Sequence, residues 1–151
     1  MHTRDFSAAL LSVLLLAGAA GAADDGYGGG ASDDELRPAR MQIADKNWQG
    51  AVATLNAYTR THPKSADGYN LLGYSYRQLQ RYNESLDAYQ RALTLDPKHR
   101  GAHEYIGEAY IALGRLDKAK EHLDALDKIC FLPCEEYRDL KRSYEAALRS
   151  K

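Results

Sequence analysis

Residues 66–99 read ADGYNLLGYSYRQLQRYNESLDAYQRALTLDPKH, and apolar side chains recur within them twice at helical spacing. Tyr69, Leu72, Gly73, Tyr76 and Leu79 form one stripe at i, i+3, i+4, i+7 and i+10. Tyr82, Leu86, Tyr89, Ala92 and Leu93 form a second, closed by Asp96-Pro97. The spacing predicts two amphipathic helices of about 13 residues each, joined by a short turn.

The pattern repeats outward with a period of 34 residues. Pro63 pairs with Pro97, Leu72 with Ile106, Gly73 with Gly107, and Tyr76 with Tyr110. Three sets run through three units: Trp48, Tyr82, Leu116; Ala51, Ser85, Ala119; and Leu55, Tyr89, Leu123. The small members have a physical role, because a large side chain at a crossing pushes helix axes apart. Gly73 and Gly107 on the first helices, with Ala51, Ser85 and Ala119 on the second, are expected to permit close approach. Asn83-Glu84-Ser85 matches a glycosylation sequon, but Ser85 stands at a close-packed position, and we read the match as accidental.

These residues resemble the tetratricopeptide repeat family, whose pattern of aromatic-x2-Leu-Gly-x2-Tyr, small, aromatic, Ala, Pro is carried by Tyr69, Leu72, Gly73, Tyr76, Ser85, Tyr89, Ala92 and Pro97. Residues 100–133 follow it with His103, Ile106, Gly107, Tyr110, Gly114, Ala119 and Leu123; they depart at Leu126 and Phe131. Residues 32–65 keep Trp48, Ala51, Leu55 and Pro63 but place Pro38 and Ala39 where Leu and Gly belong, so the first hairpin is expected to be frayed. A last stretch, 135–150, aligns Tyr137, Leu140, Tyr144, Ala147 and Leu148 on one face and charges on the other. It reads as the polar cap that a helical stack needs. The expected fold is therefore all-α, a helical-hairpin solenoid of about three units plus a C-terminal capping helix, over residues 34–151.

That packing absorbs most of an unusual aromatic balance, 11 Tyr against 2 Phe and 1 Trp. Tyr69, Tyr76, Tyr82, Tyr89, Tyr110 and Tyr144 take repeat or cap positions, with hydroxyls expected to reach the surface.

Residues 1–23 read as a secretory signal peptide. Arg4 is followed by an apolar run from Ala8 to Leu16 and by small residues through Ala23. An uncleaved anchor is the rival reading, at the short limit of a spanning length. Residues 24–33, DDGYGGGASD, read as a flexible acidic linker. The formal charge of −1 hides an asymmetry: five acids and no base in 24–36, against 19 bases and 15 acids in 37–151. This balance argues against nucleic-acid binding. The expected setting is export to the periplasm of a Gram-negative bacterium, with no membrane contact after cleavage.

Cys130 and Cys134 flank the turn before the last helix. In an exported protein such a pair is usually oxidised, and closing so short a loop contributes about 2 kcal/mol on the loop-entropy model. A redox-active or metal-binding thiol pair is the alternative, although the spacing is not Cys-x-x-Cys. His99 and His103 share a chelating i, i+4 spacing. With no third ligand nearby, His103 reads as a stand-in for the aromatic core residue, and no metal or cofactor is expected. No catalytic constellation assembles.

The resemblance implies that the first helix of each unit lines a concave groove. By register this places Arg37 and Arg40, then Asn70, Tyr74 and Arg77, then Glu104, Tyr105 and Glu108 along it, running from basic through aromatic to acidic. The family's carboxylate-gripping clamp is not supported, since its slots hold Leu36, Arg40, Leu71, Gly101 and Tyr105. The expected function is a non-catalytic adaptor or assembly factor, monomeric or weakly oligomeric. It would bind an unidentified peptide or protein across Tyr74, Arg77 and Tyr105. Two alternatives stand beside it, a thiol-redox or metal-handling protein using Cys130 and Cys134, and a structural oligomer joined through its stack ends.

Overall fold

A computed structural model describes residues 33–150 of the chain. The expected leader, 1–23, and all but the last residue of the expected linker, 24–33, lie outside the described residues. Seven helices follow one another: α1 (Asp33–Ala44), α2 (Trp48–Thr61), α3 (Ala66–Gln78), α4 (Tyr82–Leu95), α5 (Arg100–Ala112), α6 (Leu116–Ile129) and α7 (Glu135–Arg149). Among the described residues no helix is long and apolar enough to cross a membrane.

Helix boundaries follow local chemistry. The side chains of Asn47, Ser65 and His99 each accept a hydrogen bond from the free backbone N–H three residues on, starting α2, α3 and α5. Inside each hairpin the chain reverses through a left-handed residue, Lys46 (φ 57°), Gln80 (φ 58°) and Gly114 (φ 71°). These three positions lie one period apart. Only Gly114 adopts that conformation without a steric cost.

Helices pair as α1–α2, α3–α4 and α5–α6, and each hairpin packs on the next. Successive odd-numbered helices touch one another, α1 on α3, α3 on α5 and α5 on α7, whereas α2, α4 and α6 make no such contacts among themselves. The stack therefore curves, with the odd helices forming the tighter, inner layer. The core runs between the layers through Leu36, Leu55, Tyr89, Leu126 and Leu140, all essentially inaccessible.

Three expectations need correction. The first hairpin is not frayed: α1 is continuous, with Leu36 and Ala39 each only 1 % exposed. Pro38 sits in its second turn on the exposed side, close enough to the helix start that α1 continues through it. Gly107 makes room for α7 rather than for its hairpin partner, since a Cβ there would stand 2.5 Å from Leu140 Cδ2. The Tyr89 hydroxyl does not reach the surface; the whole side chain is buried, and burial pushes its phenol far above the ordinary value.

The small positions otherwise behave as expected. A Cβ on Gly73 would stand 2.5 Å from the Tyr89 ring. Ser85, fully buried, donates a 2.8 Å hydrogen bond to the Gly73 carbonyl. In the first unit the same register holds Ala39 and Leu55, a larger residue opposite a smaller one.

Candidate functional site

A row of rings runs from the start of α2 onto the inner layer. Trp48 meets Tyr74 edge-on at 6.0 Å between centroids, and Tyr74 meets Tyr105 at 5.1 Å. Arg77 lies within 5.5 Å of the Tyr74 and the Tyr105 centroids, which places its guanidinium in cation–π contact with both. The sequence reading laid a partner across Tyr74, Arg77 and Tyr105, and the structure brings these three side chains together.

Arg77 is nevertheless already engaged. Its Nη1 donates a 2.9 Å charge-assisted hydrogen bond to Glu108 Oε2, and both side chains are largely shielded from water. Ser143 Oγ of α7 donates to Glu108 Oε1 at 2.9 Å. One carboxylate thus ties α3, α5 and α7 together, so Arg77 and Glu108 build the groove floor. Arg37 and Arg40 stand exposed on α1, which does not touch α5. The hydrogen bond from His99, then the charges of His99 and Arg40, hold the Asp67 carboxyl below its usual range. The basic end of the groove is therefore separate from its aromatic and acidic parts.

At the acidic end a cavity of about 320 Å³ opens between α3, α5 and α7. Glu104 and Tyr105 of α5 and Asn70 of α3 line one side, and Glu135, Glu136 and Asp139 of α7 line the other. Burial first, then the charges of Glu108, Asp139 and Glu136, push the Glu104 carboxyl up to about 7, against the opposing pull of Arg77. Burial and the charge of Glu104 likewise push the Tyr105 phenol up to about 12.

The three carboxylates from α7 are functional candidates that the sequence reading missed, because it assigned that helix's charges to an outer, solvated face. The signal was there: Tyr137, Leu140 and Tyr144 stand one period beyond His103, Ile106 and Tyr110. By register α7 is a fourth inner-layer helix, and Lys141 occupies the position of Gly73 and Gly107.

The histidine and cysteine candidates resolve differently. His99 Nε2 lies 3.0 Å from Asp67 and its Nδ1 caps α5, while His103 Nε2 lies 3.1 Å from the Pro97 carbonyl oxygen and its Nδ1 lies 3.0 Å from His122 Nδ1. Their nitrogens point to separate partners, not to a shared metal position. Among the described residues no group of three or more His, Cys, Asp or Glu side chains is arranged to hold a metal ion. Cys130 and Cys134 are joined as a disulfide, with Cα atoms 5.8 Å apart, in the exposed loop carrying Phe131 and Leu132.

Comparison with known proteins agrees with this architecture. Tetratricopeptide repeat profiles match residues 66–99 and 106–130, and those segments are tetratricopeptide repeats. The chain is 34 % identical over 79 residues to the protein bimA of Emericella nidulans, covering 52 % of this chain but only 10 % of that protein. It thus spans about a tenth of that relative's length. Among solved structures, the TPR2B domain of yeast Sti1 in complex with an Hsp70 peptide superposes with a TM-score of 0.71 at 21 % identity, over 78 % of this chain and 96 % of that one. The Yersinia enterocolitica type III secretion chaperone SycD, in complex with a peptide of the translocator YopD, gives 0.67 at 15 % identity, over 78 % and 88 %. At these identities the likeness is one of fold. The chain is an all-α helical repeat.

Proposed function

We propose that this chain is a non-catalytic adaptor that holds a peptide or protein segment in the groove along α3, α5 and α7. The observation that carries this reading is the preformed row Trp48–Tyr74–Tyr105, which leads into the cavity beside Glu104. Rigid aromatic surface beside a concavity suits an extended segment, because little side-chain entropy is lost on contact. The peptide complexes of Sti1 and SycD support the same use of this fold, without indicating a shared ligand. The Arg77 assignment changes character, from a direct anchor to a positioning residue that fixes the two tyrosines.

The leader pattern of residues 1–23, together with the Cys130–Cys134 bond, supports export to an oxidising compartment such as a periplasm.

Photo-crosslinking in the source cells tests the groove. A photoreactive residue at position 74, on the inner layer, is expected to capture a defined partner that the same residue at position 60, exposed on α2, does not. Equal capture from both positions, or none from position 74, overturns the assignment.

A further inference from the structure

The acidic cavity holds a second feature that carboxylates alone do not explain. Asn70 is 7 % exposed, and its Oδ1 is enclosed with no hydrogen-bond partner. An amide oxygen buried in that state is unfavourable unless a donor reaches it. It lines the cavity together with Glu104, Glu135, Glu136 and Asp139. The cations nearby answer only part of this charge. Arg100 reaches Glu136 at 3.5 Å, and Arg142 reaches Asp139 at 2.9 Å from a largely exposed position. Arg77 is bound to Glu108, and among the described residues no salt bridge reaches Glu104.

We propose that this cavity receives the guanidinium group of an arginine side chain from the bound partner segment. A guanidinium brings several donors in a flat fork, is always charged and is weakly hydrated. It can donate to Asn70 Oδ1 and to Glu104 while lying near the Tyr105 ring, a combination that no single-donor ligand matches. The cavity volume is enough for such a side chain. This inference rests on the inner face being the partner groove, and it names the residue type that anchors one end of the segment.

A pH dependence follows from the groups facing Glu104: Asn70 and Arg77 from α3, Tyr105 and Glu108 from α5, and Glu135, Glu136 and Asp139 from α7. With Glu104 titrating at about 7, the cavity gains negative charge as pH rises through neutrality. Guanidinium binding is therefore stronger on the alkaline side.

Titration of the full chain with N-acetyl-arginine-methylamide, followed by amide and side-chain NMR shifts, tests the site. The neutral isostere N-acetyl-citrulline-methylamide is the control. Saturable shifts centred on Asn70, Gly101 and Tyr105 are expected for the arginine compound, at least about tenfold tighter than for citrulline, the scale of one partly desolvated charge pair. Binding should weaken several-fold from about pH 8 to about pH 6 as Glu104 takes up its proton. Glu104→Gln, which preserves shape, should remove most of that pH dependence, and Asp139→Asn, on a different helix, should weaken binding while retaining it. Equal affinity for both compounds, or no saturable shift at these residues, overturns the guanidinium assignment. The partner-groove reading falls separately, on the crosslinking contrast between positions 74 and 60.

Discussion

Arg77 Nη1 and Glu108 Oε2 lie 2.9 Å apart across the α3–α5 junction, with the Tyr74 and Tyr105 rings over the guanidinium. The two side chains are 17 % and 26 % exposed, so most of their hydration is lost and each depends on the other. Arg77→Met leaves Glu108 half-buried without its cation, and is expected to lower unfolding free energy by about 2 kcal/mol, below the range for fully buried pairs. Arg77→Met with Glu108→Gln should lose clearly less than the sum of the single changes. Urea denaturation of the four proteins checks the coupling, and strict additivity would refute it.

Gly73 and Tyr89 form a size-matched pair. Gly73→Ala places a methyl 2.5 Å from the ring and is expected to cost about 1–3 kcal/mol. Tyr89→Leu in the same chain should recover part of that loss, because the first unit already holds Ala39 opposite Leu55 in this register. Thermal or urea unfolding of the single and double variants measures the recovery.

The hairpin turns carry an asymmetry that substitution can exploit. Gln80 occupies φ 58° with a side chain that disfavours it, so Gln80→Gly is expected to stabilise the protein by up to about 1 kcal/mol. Gly114→Ala, at φ 71°, should destabilise by a similar amount although nothing lies within 4 Å of the added Cβ. Opposite shifts in the urea midpoint confirm that backbone conformation is the cause.

His122 gives the stack an acid-side weakness. Burial first, and the charge of His103 second, push its pKa from 6.5 down to about 4. Above pH 6.5 both folded and unfolded chains keep it neutral. Between 6.5 and 4 the unfolded chain takes a proton that the folded chain resists, so its contribution to stability falls as pH drops through that window. Glu104 acts in the opposite sense, since its raised pKa makes the folded chain the stronger proton acceptor between 4.5 and about 7. Stability of His122→Gln and wild type, measured against pH, should therefore differ by a term that changes by about 1 kcal/mol across the His122 window, allowing for partial exposure. A pH-independent difference would show that burial in the folded chain does not depress the His122 pKa.

Part of the candidate site was legible before any coordinates. Register, with the first-helix groove that the family resemblance implies, put Tyr74, Arg77 and Tyr105 on one side of the stack, although Tyr74 and Tyr105 stand 31 residues apart, not a full period. It misjudged Arg77, offering a free anchor where the fold supplies a paired one. A pairing between residues 31 apart depends on how far α5 turns against α3, and side-chain spacing carries no record of that angle. Glu135, Glu136 and Asp139 were misplaced for a related reason. Seen alone, α7 is an amphipathic helix whose charges face water; set against α5, part of that charged side closes a cavity.

The sequence by itself determined the two later hairpins, the last helix and the Gly73–Tyr89 register, since these follow from periodicity and steric size within and between neighbouring turns. Only the tertiary structure decided which charges neutralise one another, which histidines share a hydrogen bond and which amide oxygen is left enclosed. Those outcomes depend on distances of a few ångströms between helices far apart in the chain, where desolvation and pairing, not pattern, set the energy.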